Sequence, residues 1–321
     1  MRNKKQKLAP HREKPRTTKR QTWRALIKAL RIHQWIKNGF VFAAPVFARE
    51  ITQPHQFMAT TCTFAAFCLA SSATYLFNDI LDIEEDKLHP EKRLRPLASG
   101  EIPIHTAVLA ANGLAILAVV LSASLVSIET AGIIAVYLAI NTLYSMFFKH
   151  IVILDVMFIA VGFLLRIFAG AAATEVPPSY WLLLCTMNIS LFLGFAKRRF
   201  EVISLEDNAV NHRRVLEHYS IGFLDQMISI VTAATVVCYI LYTVDERTVS
   251  VFHTRLLVAT VPFVLYGMFR YLYLAYHRQG GGNPSRALLT DVPLLLTVAL
   301  WVGSCLLIIY FGENLAKGLP W

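Results

Sequence analysis

At 321 residues, 55% hydrophobic and only 16% charged, the chain is too oily for an ordinary soluble domain. Its net charge of +10 would point to nucleic acid in a soluble protein. Here a basic tail and a bias of Lys and Arg toward one membrane face account for it, which excludes nucleic acid as the partner. Five scattered cysteines, Cys62, Cys68, Cys185, Cys238 and Cys305, lie in apolar runs without metal spacing, and their odd count excludes a complete disulfide framework.

Residues 1–21 are rich in Lys, Arg and Pro and are expected to be disordered. An amphipathic helix is predicted over 22–37, with Trp23, Leu26, Ile27 and Leu30 on one face and Arg24, Lys28 and Arg31 on another, as suits an anionic leaflet. Nine membrane spans follow, near 39–48, 56–77, 102–124, 129–147, 151–173, 180–196, 223–244, 251–275 and 288–311. The first is short and interrupted by Pro45. With the N-terminus in the cytoplasm, residues 1–37 carry 13 Lys and Arg, the inner loops another 13 and the outer side only 4. That asymmetry supports the orientation, an odd number of spans and a C-terminus outside. The predicted architecture is an all-α polytopic membrane protein with a single transmembrane domain over 22–321.

One stretch stands apart from this oily background, Asn78 to Gly100, a dense block of charge between two spans. On a helix Asn78, Asp82 and Asp86 form one narrow stripe, with Asp79 at its edge. Oxygen donors one turn apart suit a hard cation, magnesium rather than zinc. Lys92, Arg93 and Arg95 follow. Carboxylates succeeded by cations at the mouth of a membrane bundle are the chemistry that holds a magnesium-bound diphosphate from both sides. The plainer alternative is a solvated acidic loop whose charges balance.

Further charges gather at other inner span ends. Tyr144, Lys149 and His150 close the fourth span, and Asp155 opens the fifth. Arg166, eleven residues on, faces the same way about 16 Å deeper, where it needs a polar cavity or a partner helix. Lys197, Arg198 and Arg199 end the sixth span; Lys37 and Asn38 lie at the start of the first. Plain interfacial basicity is the alternative for both. Gly162 and Gly170 permit close helix packing. His89 and His150 have no Ser or Cys partner in view, so the layout does not support a nucleophilic triad.

These motifs resemble the UbiA-type intramembrane prenyltransferase superfamily. N-D-x-x-D-x-x-x-D at Asn78–Asp86, followed by H-P-x-K-R-x-R-P-L-A-S-G, is similar to its first aspartate-rich motif. R-x-x-Q-W-x-K-N (Arg31–Asn38), Y-S-x-x-x-K-H (Tyr144–His150), the run Asp155–Gly170 and K-R-R-x-E (Lys197–Glu201) look like its decaprenyl-phosphate phosphoribosyltransferase branch. The resemblance implies nine helices around a cavity open to the cytoplasm, in the bacterial plasma membrane. It implies transfer of 5-phosphoribose from phosphoribosyl diphosphate to a polyprenyl phosphate. By position, Asn78, Asp82 and Asp86 would hold magnesium. Lys37, Lys92, Arg93, Lys149, Arg166, Lys197 and Arg198 would bind phosphates, with Tyr144 and Asp155 orienting them. A second D-x-x-x-D, usual in the superfamily, is missing where Ile159 follows Asp155, so a second metal is not expected. Two other readings compete: a prenyl transfer to an aromatic acceptor, and a lipid transporter or scaffold, against which the nearly bare outer loops argue.

Overall fold

The computed structural model describes residues 19–206, 214–277 and 290–316, and among them every regular element is a helix. Residues 1–18 of the basic tail lie outside the described residues. The first helix, α1 (Lys19–Ala29), starts before and stops well short of the predicted 22–37. Arg31 takes a left-handed conformation (φ 52°, ψ 49°), which an α-helix cannot continue through. Ala25 and Ala29 let α1 close onto Ile83, Leu97 and Ile102, while Trp23, Arg24, Ile27 and Lys28 face outward. That outward mixture of apolar and basic side chains suits the interface of a bilayer.

The segment after α1 stands where the shortest span was predicted, and it is not one of the long apolar helices. Residues Ile32–Phe42 form a 3-10 helix and Ala43–Phe47 a short α2. Its contacts run antiparallel along α3 (Pro54–Leu81): Arg31 meets Asp79, Trp35 donates to Ser72 at 3.0 Å, Asn38 donates to Ser71 at 3.1 Å, and Phe42 packs on Phe64. A 3-10 helix rises about 2.0 Å per residue against about 1.5 Å for an α-helix, so these sixteen positions reach about 30 Å, the thickness of a hydrocarbon core. Close approach is needed on its other side. A Cβ at Gly170 would stand 1.9 Å from the Val41 carbonyl oxygen, so only glycine fits.

Among the described residues eight helices are long and apolar enough to span: α3, α5 (Ile104–Leu125), α6 (Ile128–Met146), α7 (Leu154–Ala173), α8 (Tyr180–Glu206), α9 (Ile221–Val244), α11 (Val261–His277, extended by a 3-10 turn from Leu256) and α12 (Val292–Ala316). Between α3 and α5 lies α4 (Ile83–Leu88), and before α11 lies α10 (Glu246–Phe252). The span predicted over 251–275 therefore begins later, because His253 is left-handed (φ 53°) and ends α10. Serines cap two of the spans: Ser127 accepts from Thr130 N–H at the start of α6, and Ser220 from Phe223 N–H at the start of α9. Outward faces carry large bare side chains, such as Leu109, Ile116 and Val120 on α5, a surface that only lipid solvates well. The protein is an integral membrane protein.

Candidate active site

Asp82 both ends α3 and starts α4. Backbone bonds from Asp82 N–H to Asn78 C=O (3.0 Å) and from Asp86 N–H to Asp82 C=O (2.8 Å) carry the four-residue register across that joint. Asn78, Asp82 and Asp86 therefore share one stripe. Asp79, Asp82 and Asp86 are only 2%, 6% and 3% exposed. Three buried carboxylates need three cations; Lys149 and Arg31 come from distant segments and Arg95 from the loop just after α4. Lys149, in the 3-10 turn Phe148–His150, bonds Asp82 Oδ1, while Asn78 Nδ2 donates to Oδ2 at 2.8 Å. Arg95 Nη1 donates to Asp86 Oδ2 at 2.7 Å and reaches Asp79 Oδ1 at 3.2 Å. Arg31 Nη2 closes on the same Asp79 oxygen at 2.5 Å and lies over the Tyr75 ring. Burial raises the Asp86 carboxyl above the ordinary carboxylate range against the pull of Arg95.

Among the described residues no three His, Cys, Asp or Glu side chains form a closed metal cage. The donor set is nevertheless that of magnesium, which takes one or two protein carboxylates and completes its shell with water and substrate phosphate. Asn78, Asp82 and Asp86 fit such an ion.

The remaining candidates divide. Lys37 is half-buried and makes no hydrogen bond or ion pair among the described residues; the charges acting on it, Lys197, Arg166 and Arg31, are all positive. Lys197 is exposed, with Glu201 at 3.9 Å. Lys92 lies near enough to act on Asp86, whereas Arg93 points to the surface, so Arg95 rather than Arg93 meets the carboxylates. Tyr144 stacks on Phe158, which also stacks on Phe148 beside Lys149.

Arg166 is locked inside the bundle. It donates to Asn38 (2.8 Å), the Gly162 carbonyl (2.6 Å) and Tyr137 (3.1 Å), with Phe67, Tyr137 and Phe163 around its guanidinium. It contributes a fixed positive charge, with most of its donors already engaged. Asp155 is fully buried, and both its oxygens are taken, one by Arg198 Nε at 2.6 Å and one by the Tyr219 hydroxyl at 2.7 Å. Arg198 also bonds Glu201, and Arg199 turns away to Asp225 and Tyr276. Arg31 and Tyr219 were not among the candidates drawn from the sequence, and Asp79 and Arg95 were noted in the charged block without a role of their own. Arg95 belongs to the basic run already noted and Asp79 to the acidic one; Tyr219 carries no motif that would have marked it.

The pattern of the UbiA prenyltransferase family matches residues 39–290. The chain belongs to this family. It is a transferase, and its UbiA fold recurs in solved structures. A UbiA homolog from Archaeoglobus fulgidus bound to GPP and Mg2+ superposes with a TM-score of 0.67 at 16% identity, over 90% of this chain and 99% of that one. Among curated relatives, the decaprenyl-phosphate phosphoribosyltransferase of Mycolicibacterium smegmatis is 35% identical over 304 residues, 89% of this chain and 93% of that protein. The protein of the same name from Corynebacterium glutamicum is 32% identical over 293 residues, 89% and 86% of the two chains.

Proposed function

We propose that this UbiA-family transferase moves 5-phosphoribose from phosphoribosyl diphosphate to a polyprenyl phosphate of decaprenyl type, releasing diphosphate at the cytoplasmic face. The observation that carries the reading is the uncompensated positive charge at Lys37. A donor with a second phosphate and an acceptor with a third need cations beyond those that hold a diphosphate; a prenyl donor with a neutral acceptor does not. The names of the relatives support the same choice.

Asn78, Asp82 and Asp86 would hold magnesium together with the donor, and the ion would supply Lewis acidity toward the departing diphosphate. Lys149 and Arg95 already stand at those carboxylates and donate N–H to the phosphate oxygens that arrive there. Lys37 and Lys197 receive the other phosphates, while Arg166 fixes Asn38 beside Lys37 and adds its charge to the field. Lys92 and Arg93 line the approach from the loop, and Tyr144 forms an aromatic wall next to Lys149. The lipid phosphate is anionic at neutral pH and attacks ribose C1 without a strong general base. Rate comes from positioning and from charge stabilisation on the leaving group.

The test is to incubate purified protein with magnesium, polyprenyl phosphates and either phosphoribosyl diphosphate or a prenyl diphosphate, and to weigh the lipid product. A phosphoribosylated lipid from the first donor supports the reading. Product from the prenyl donor alone replaces it with an ordinary prenyl transfer.

A further inference from the structure

The turn between α6 and α7 is built in a conformation that its sequence resists. Ile153 has φ 70° and ψ −47°, and Leu154 N–H bonds back to the Val152 carbonyl at 2.8 Å. That is a γ-turn of the rare positive-φ kind, strained for any L-residue and most of all for a β-branched one. Such a turn persists only where its surroundings hold it.

The holder comes from the segment between α8 and α9. Tyr219 is buried, follows a 3-10 turn whose Val215 and Leu216 are also buried, and accepts the Ile153 N–H on its hydroxyl at 2.7 Å. The same hydroxyl donates to Asp155 Oδ1 at 2.7 Å, and the other oxygen of Asp155 is fixed by Arg198 on α8. One phenol thus joins the strained turn, the first turn of α7 and the base of α8. Burial and the bond to Asp155 raise the phenol above its ordinary range, so it remains a donor at any working pH.

Four residues upstream of Ile153 is Lys149. The intervening backbone is tied down by bonds from Ile151 N–H to Phe148 C=O and from Asp155 N–H to Ile151 C=O. Phe148 stacks on Phe158 at 4.2 Å between ring centroids. Movement at Ile153 has no slack in which to dissipate before it reaches the lysine that bonds Asp82.

We propose that Tyr219 is a positioning residue of this transferase: its hydroxyl holds the γ-turn at Ile153 and thereby sets Lys149 against Asp82, where the leaving diphosphate is gripped. The proposal rests on the active-site reading above, but its probe, magnesium diphosphate, is shared by phosphoribosyl and prenyl transfer alike. Calorimetry would measure magnesium-diphosphate binding to the full-length protein in detergent, with thermal stability followed in parallel.

Tyr219→Phe should weaken binding about tenfold, as a small displacement of a positioned group does. The same change in a Lys149→Met background should cost less than about twofold, because coupled residues are not additive. Ile153→Gly, which accepts positive φ without strain, should recover most of the loss in Tyr219→Phe. Undiminished binding in Tyr219→Phe overturns the proposal. So does a full loss that persists in Lys149→Met, or a failure of Ile153→Gly to rescue, since either marks general packing. If the unaltered protein itself does not bind magnesium diphosphate, the active-site reading falls and the positioning role with it.

Discussion

Two acidic centres lie at the same end of the bundle, and they are built for opposite purposes. In the first, Asp79, Asp82 and Asp86 are buried, yet two of the cations that hold them keep contact with solvent, Arg31 and Arg95 at 24% and 25% side-chain exposure. In the second, Asp155 and Arg198 are sealed, at 0% and 2%, and every oxygen of the carboxylate is spoken for. Arg31 and Arg95, partly exposed, can change partners readily when a ligand arrives; Lys149, at 6% side-chain exposure, does so only as the ligand takes over its bond to Asp82. On the proposed reading the first centre receives the diphosphate, and the second is the joint that aligns it.

Substitutions should separate the two. Asp82→Asn keeps the side-chain shape but removes charge at the first centre, and should abolish magnesium-dependent turnover, by about 100-fold or more, while the protein still purifies folded. Near-normal rates from a product assay would erase the distinction. Arg198→Ala at the second centre should instead show first as instability, about 3–5 kcal/mol, because it leaves Asp155 buried and unpaired. Thermal unfolding in detergent measures this, and Arg95→Ala, partly exposed, should cost clearly less. Gly170→Ala forces a methyl onto the Val41 carbonyl and should cost about 1–3 kcal/mol by the same measurement. The smallest effect is expected at Lys37, whose charged neighbours Lys197, Arg166 and Arg31 are all positive. Lys37→Met should raise KM for the donor or for the lipid phosphate about tenfold with little change in melting temperature; an unchanged KM for both would remove it from the site.

Much of the first centre was readable before the fold was known. The four-residue spacing of Asn78, Asp82 and Asp86 is a local pattern, and local patterns survive into structure because the backbone bonds that make them span the same four residues. Long apolar runs likewise announced the spans. The partners of those carboxylates were harder. Lys149 was singled out, but its pairing with Asp82 crosses 67 positions of chain, and Arg31 meets Asp79 across 48. No periodicity encodes such meetings. The segment Ile32–Phe47 was obscure for a different reason: a 3-10 helix lengthens the chain without the 3.6-residue repeat that betrays an amphipathic helix. Asp155 showed itself as a charge at a helix start, whereas its closure by Arg198 and Tyr219 depends on residues 43 and 64 positions away.

The most direct test of the account is an experimental structure of the protein with magnesium and diphosphate. The account predicts the diphosphate between the Asn78–Asp82–Asp86 stripe and the side chains of Lys149 and Arg95, with the Asp155–Arg198–Tyr219 joint unchanged. Diphosphate bound elsewhere, with Lys149 still closed on Asp82 and Arg95 on Asp86, would contradict it.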